Sequence, residues 1–116
     1  MLSNTLDLTV DSTPYTLTRV KESGGTSEYL HRGDGFSFQL KVRNSQQTKG
    51  GQVYNVYNMV VTHLIAATPT TLAEERTASF TGRYPDLSDP ASSSELQEGL
   101  FTLGSAQLAA LASGEV

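Results

Sequence analysis

The sequence has no cysteine and no tryptophan. Without cysteine there can be no disulfide framework, no thiolate metal site and no cysteine nucleophile. Proline is scarce, at four residues. Long apolar runs are missing too: nothing approaches the roughly 18 residues that a membrane-spanning helix requires. The start, Met1-Leu2-Ser3-Asn4, has neither the basic opening nor the apolar stretch of a secretory signal, so a cytosolic chain is the expectation. Charged residues make up 17% and apolar residues 37% of 116 positions. Both fractions are low for a globular domain. The length suits one domain spanning residues 1–116. So small and polar a chain has a marginal core of its own, and self-association is the usual source of the missing buried area.

The charge is unevenly placed. Residues 1–85 hold all eight basic residues against seven acidic ones, a net of +1. Residues 86–116 hold Asp86, Asp89, Glu95, Glu98 and Glu115 and no base, a net of −5. A mildly basic body with an acidic end can offer one surface to a polyanion and another to solvent.

What is present reads first as strands, over residues 4–84. Thr5 to Val10 alternates polar and apolar residues, Asp11-Ser12-Thr13-Pro14 has turn chemistry, and Tyr15 to Val20 resumes the alternation, which predicts a hairpin. After Ser23-Gly24-Gly25 comes a third strand, Thr26 to Arg32, turned back at Gly33-Asp34-Gly35. The fourth strand sets Phe36, Phe38, Leu40 and Val42 on one face and Gln39, Lys41, Arg43 and Ser45 on the other. Gln47 to Gly51 is expected as a loop, with Lys49 in it. In the run from Gln52 to Ala66, Tyr57, Met59 and Val61 are assigned to the core and Tyr54, Asn58 and Thr62 to the polar face. Ala67 to Ala73 is a loop. In the last strand Ala78, Phe80 and Tyr84 share the apolar side, and Thr77, Ser79, Thr81 and Arg83 the polar side.

The period then changes. Asp89-Pro90 suits a helix cap and first turn, and Ser92-x-x-Glu95 offers a capping box slightly later. Leu96, Leu100 and Leu103 are helically spaced; Gly104 is expected to end this helix and Ser105 to start a second, so that two helices cover about 90–113. The predicted class is α+β: an antiparallel sheet with an N-terminal hairpin and two C-terminal helices. That helical pair is too small to cover the sheet's apolar face, which argues for an intertwined dimer.

Enzyme chemistry finds little support. His31 and His63 are the only histidines; His63 has no carboxylate or second histidine nearby in sequence, His31 stands at the end of a strand, and they read as a polar strand residue and a turn neighbour. No nucleophile elbow, phosphate loop or calcium-loop spacing is present. No catalytic residue, metal ligand or cofactor is assigned. Arg32-Gly33-Asp34 matches a cell-attachment tripeptide, but Gly and Asp dominate turns for backbone reasons, and it reads as a hairpin turn. The stronger candidate is the polar sheet face, with Gln39, Lys41, Arg43, Ser45, Tyr54, Asn58, Thr62, Thr77, Ser79, Thr81 and Arg83. Basic groups there can contact phosphates, amides and hydroxyls can reach base edges, and the Tyr54 ring can stack on an unpaired base.

The order of elements, with Thr26-Ser27-Glu28-Tyr29-Leu30, Phe38 to Ser45, the strand Val53 to Ala66 and the helical ending Glu95 to Ser113, resembles the levivirus group of coat proteins, from small single-stranded RNA bacteriophages. The resemblance implies a non-enzymatic capsid protein that needs no cofactor. It implies a homodimer whose sheets join and whose helices interlock, assembling in the bacterial host cytoplasm into an icosahedral T=3 shell. It also implies that the exposed sheet face binds genomic RNA, including a hairpin whose capture represses replicase translation. Gln39, Lys41, Arg43 and Ser45 match inward positions of that group's RNA-contacting strand, Asn58 and Thr62 the next, and Thr77, Ser79, Thr81 and Arg83 the last by pattern. Val56 and Val60 depart from it, standing where the group often has polar or charged residues. The alternative reading is a dimeric RNA-binding protein that forms no shell.

Overall fold

The computed structural model describes residues 2–114; Glu115 of the acidic segment lies outside the described residues. Six strands, β1 (Thr5–Val10), β2 (Thr13–Ser23), β3 (Thr26–Gly33), β4 (Phe36–Lys49), β5 (Gln52–Ile65) and β6 (Glu74–Pro85), precede one helix, α1 (Pro90–Ala112). The strands form a single antiparallel meander in the order β1-β2-β3-β4-β5-β6.

The hairpin turns are tighter than the composition suggests. Gln47, Thr48 and Lys49 continue β4 instead of forming a loop, because Gly50 and Gly51 close the hairpin alone at φ 60° and 78°. Two consecutive residues of positive φ give the turn whose twist matches the strands it joins. At β1–β2 the turn is Asp11-Ser12, at φ 50° and 64°, so Thr13 and Pro14 belong to β2.

Alternation puts the apolar residues on one face. Leu17, Tyr29, Phe38 and Leu40 are buried, and Leu6, Leu8, Tyr15, Phe36, Val42, Met59 and Val61 pack around them. Register pairs such as Leu40↔Val61 and Val42↔Met59 fix this face across β4 and β5. Both histidines join it, so they are more than a polar strand residue and a turn neighbour. His31 Nδ1 lies 3.0 Å from the Thr16 carbonyl oxygen, and His63 stacks on Phe38 at 4.3 Å between ring centres. An imidazole ring fills space among aromatic rings as a flat apolar body would, which hydropathy alone does not convey.

One β-bulge interrupts the sheet. Arg19 pairs with Tyr29 and Lys21 with Glu28, so Val20 is an extra residue. A bulge reverses the facing of the later residues on its strand. Before it, Arg19 belongs to the apolar face. Its guanidinium donates to the Tyr29 hydroxyl and the Leu2 carbonyl, both at 2.8 Å, while Tyr29 donates to the Ser3 carbonyl at 2.7 Å. Together they fasten the N-terminal segment to the sheet.

The two predicted helices are one. Asp89 caps α1, its carboxylate accepting from the Ala91 amide at 3.0 Å, so Ser92 lies inside the helix and forms no separate capping box. Gly104 is an interior residue. A helical glycine costs about 1 kcal/mol relative to alanine. Ala106, Gln107, Leu108, Ala109, Ala110 and Leu111 follow it, and these strong helix formers carry the helix on.

The helix lies along β6. Tyr57 Oη is 2.9 Å from Ser93 Oγ, and the Phe101 ring meets Phe80 edge-on at 4.9 Å. Leu96, Leu100, Leu103, Leu108 and Leu111 are 55–78% exposed. The radius of gyration is 16.8 Å, where a compact domain of this length has about 13 Å. A single chain therefore leaves both its helix and much of its apolar sheet uncovered.

Candidate nucleic-acid interface

The face opposite the helix is built by register. Gln39 pairs with Thr62 and Thr62 with Thr77; Lys41, Val60 and Ser79 form the next row; Arg43, Asn58 and Thr81 the next; then Ser45, Val56 and Arg83. Tyr54 lies beyond them, between Gln47 and Pro85. All eleven candidate residues thus share one face. Lys49, expected in a loop, ends β4 beside Gln52.

Hydrogen bonds restrict what two of these side chains can offer. Asn58 Nδ2 donates to Thr81 Oγ1 at 2.9 Å and to the Phe80 carbonyl at 3.0 Å. Its Oδ1 is then the atom left for a ligand, so Asn58 presents an acceptor. Thr81 can still donate. Val60 and Val56 are the β5 members of two of these rows, giving the middle of the face apolar ground suited to the flat side of a base.

The charges are mixed. Lys41 Nζ lies 3.6 Å from Glu28 Oε1, with side chains 48% and 35% exposed. Lys21, set on this face by the bulge, is the cross-strand partner of Glu28. Sequence reading missed both Lys21 and Glu28, since simple alternation from Leu17 and Arg19 would put Lys21 among the apolar side chains. Two concavities open here. One of about 360 Å3 is lined in part by Val20, Leu30, Gln39 and Thr62, the other of about 270 Å3 by Lys21, Ser23 and Thr26; Glu28 and Lys41 line both.

Elsewhere the candidates dissolve into structure. Arg32-Gly33-Asp34 ends β3 and enters the hairpin turn, where Gly35 has φ 79°. Among the described residues no group of three or more His, Cys, Asp or Glu side chains could hold a metal ion. No described helix is long and apolar enough to cross a membrane.

A six-stranded meander with one polar face and one apolar face, followed by an uncovered helix, suits a subunit of a larger assembly. Comparison with known families agrees: the family described as the phage phiCb5 coat protein matches residues 3–85, the whole of the sheet. The chain belongs to the phage phiCb5 coat protein family. It is therefore a structural capsid protein of a bacteriophage, of the RNA levivirus kind, and not an enzyme. No curated protein matches the chain. The match ends before α1, so the helix is characterised by its own geometry alone.

Proposed function

We propose that this coat protein works as an obligate homodimer that closes into an icosahedral shell around single-stranded genomic RNA, with the Gln39–Arg83 face turned inward. The observation that carries this reading is the division of the sheet. One face holds Lys41, Arg43 and Arg83 among amides and hydroxyls, and the other holds a groove of about 410 Å3 lined by residues including Leu8, Leu17, Met59, Val61, Phe80 and Phe101.

The dimer is argued from the surfaces one chain leaves bare. In the described residues β6 is an edge strand, with twelve residues open on its outer side. An exposed edge of this length is a template for pairing. A partner's β6 would extend the sheet across a two-fold axis and bring the partner's helix toward the apolar groove. The exposed helix leucines and that groove then cover each other. The acidic helix faces away from the nucleic acid, where its charge repels nothing.

On the inner face, basic groups hold phosphates while Thr62, Thr77, Thr81 and the Asn58 acceptor meet base edges. A hairpin with unpaired bases, whose capture represses replicase translation, is the ligand this arrangement suits. The test is expression of the protein alone in bacteria. Particles in electron microscopy that contain host RNA are the expected result. Dimers that bind RNA but never form shells would support the non-capsid alternative. The Lys41→Ala, Arg43→Ala double variant should bind RNA less tightly, with a flatter dependence on salt. Unchanged affinity and slope would move the RNA to another surface.

A further inference from the structure

The bulge at Val20 brings Lys21 beside two charged side chains of the polar face, where simple alternation would not put it. Lys21 on β2, Glu28 on β3 and Lys41 on β4 occupy one row on adjacent strands, through the pairs Lys21↔Glu28 and Glu28↔Lys41. Glu28 Oε1 is 3.6 Å from Lys41 Nζ. The three side chains, with Ser23 and Thr26, line a single concavity.

We infer that Lys21 and Lys41 form a clamp for one RNA phosphate, and that Glu28, paired with Lys41 and facing Lys21 across the strands, is its latch until the phosphate takes its place. The inference rests on the reading of this face as the RNA surface. One carboxylate cannot neutralise two ammonium groups, so the row keeps a positive charge. The flanking strand axes lie about 10 Å apart, a gap two lysine side chains can close around a shared anion. The Lys41–Glu28 pair is half exposed. Such a pair is worth little to stability, so RNA can displace it at little cost. Glu28 also keeps the row from gripping stray anions, which makes it a residue that tunes selectivity and not a contact to RNA.

The experiment is filter binding of the full-length protein to an unstructured oligouridylate across a salt series, with a thermal melt of each variant. Lys21→Gln should weaken binding and lower the magnitude of the log–log salt slope by about 0.7 for each phosphate it no longer neutralises. Lys21→Arg should keep the slope. Glu28→Gln should tighten binding by about two- to fivefold, the factor that corresponds to breaking a surface ion pair. An unchanged slope and affinity in Lys21→Gln overturns the clamp. So does a Glu28→Gln variant that melts lower and binds no tighter, since that marks a cross-strand ion pair serving the fold alone. Arg43→Ala separates the two levels. If it weakens binding while Lys21→Gln does not, the inward face stands and the clamp falls. If the wild-type protein binds no oligouridylate at low salt, or neither Arg43→Ala nor Lys21→Gln changes binding, both fall.

Discussion

Gly82 should tolerate no side chain, and the reason is a single ring. It is the cross-strand partner of Tyr57. A Cβ built at Gly82 would lie 1.8 Å from Tyr57 Cζ and 2.2 Å from its hydroxyl oxygen. The tyrosine lies flat over β6 because the glycine leaves it a slot, and only so does its hydroxyl meet Ser93 on α1. Gly82→Ala must push the ring out. Losing the Tyr57–Ser93 bond costs about 0.5–1.5 kcal/mol, and forcing a methyl group into a filled space about 1–3 kcal/mol. The expected loss is about 2–4 kcal/mol, or roughly 8–16 °C in melting temperature at fixed protein concentration. Tyr57→Phe, which keeps the ring and removes the hydroxyl, should cost only about 1 kcal/mol. In a Tyr57→Ala background the slot is empty, and alanine at 82 should stabilise the strand by about 0.5–1 kcal/mol over glycine. Calorimetry of the four members of this cycle measures the coupling between the two positions. A Gly82→Ala protein that melts with the wild type would show that the ring does not exclude a side chain. So would an equal penalty in both backgrounds.

Three further outcomes are expected. Leu100→Asp or Leu103→Asp places a charge in the seam assigned to the dimer and should cost several kcal/mol of association; sedimentation that recovers a stable folded monomer from wild-type protein at low concentration would count against the seam. Arg19→Met removes the charged donor that holds Leu2 and Tyr29, and should destabilise by about 1.5–3 kcal/mol while raising hydrogen exchange at residues 2–4 and in β1. Gly104→Ala has no atom within 4 Å of the new methyl group, and should stabilise the helix by about 0.5–1 kcal/mol in circular dichroism melts.

Most of the sheet was legible because its signal is local. The alternation of Phe36, Phe38, Leu40 and Val42 against Gln39, Lys41 and Arg43 fixes both strand and face, and register carries that face to β5 and β6 without further information. The candidate residues fell on one surface for this reason. Features that alternation cannot encode escaped. A bulge adds one residue and reverses every later side chain, so Lys21 changes sides with no mark in the composition. Glu28 stood out only as part of the string Thr26 to Leu30 and not as a neighbour of Lys41, because cross-strand adjacency needs a register. The polar run Gln47-Thr48-Lys49 looked like a loop, since nothing in it favours burial; it is a strand because the turn beyond it is only two residues long.

The helix is the more instructive difference. Glycine and serine at 104 and 105 punctuate the sequence as a stop and a start, yet α1 runs through them. Punctuation of this kind reports a local preference of about 1 kcal/mol, which the alanine- and leucine-rich segment beyond it overrides. Hydrophobic spacing on either side of Gly104 was read correctly, but as burial within one chain it has no counterpart: all five leucines stay exposed. A helix of 23 residues that buries none of them in the single chain is the observation from which we propose that its apolar pattern serves a second copy. The sheet shows the complementary shortage, since Leu6, Leu8, Met59 and Val61 are only partly covered. A sequence pattern that predicts a core, and a single chain that fails to form one, are reconciled when the core is completed between two copies. In the dimer we propose, this would tie folding to assembly: a subunit without a partner keeps its adhesive surfaces exposed, and a paired one would present an acidic outer side and a basic inner side to everything else.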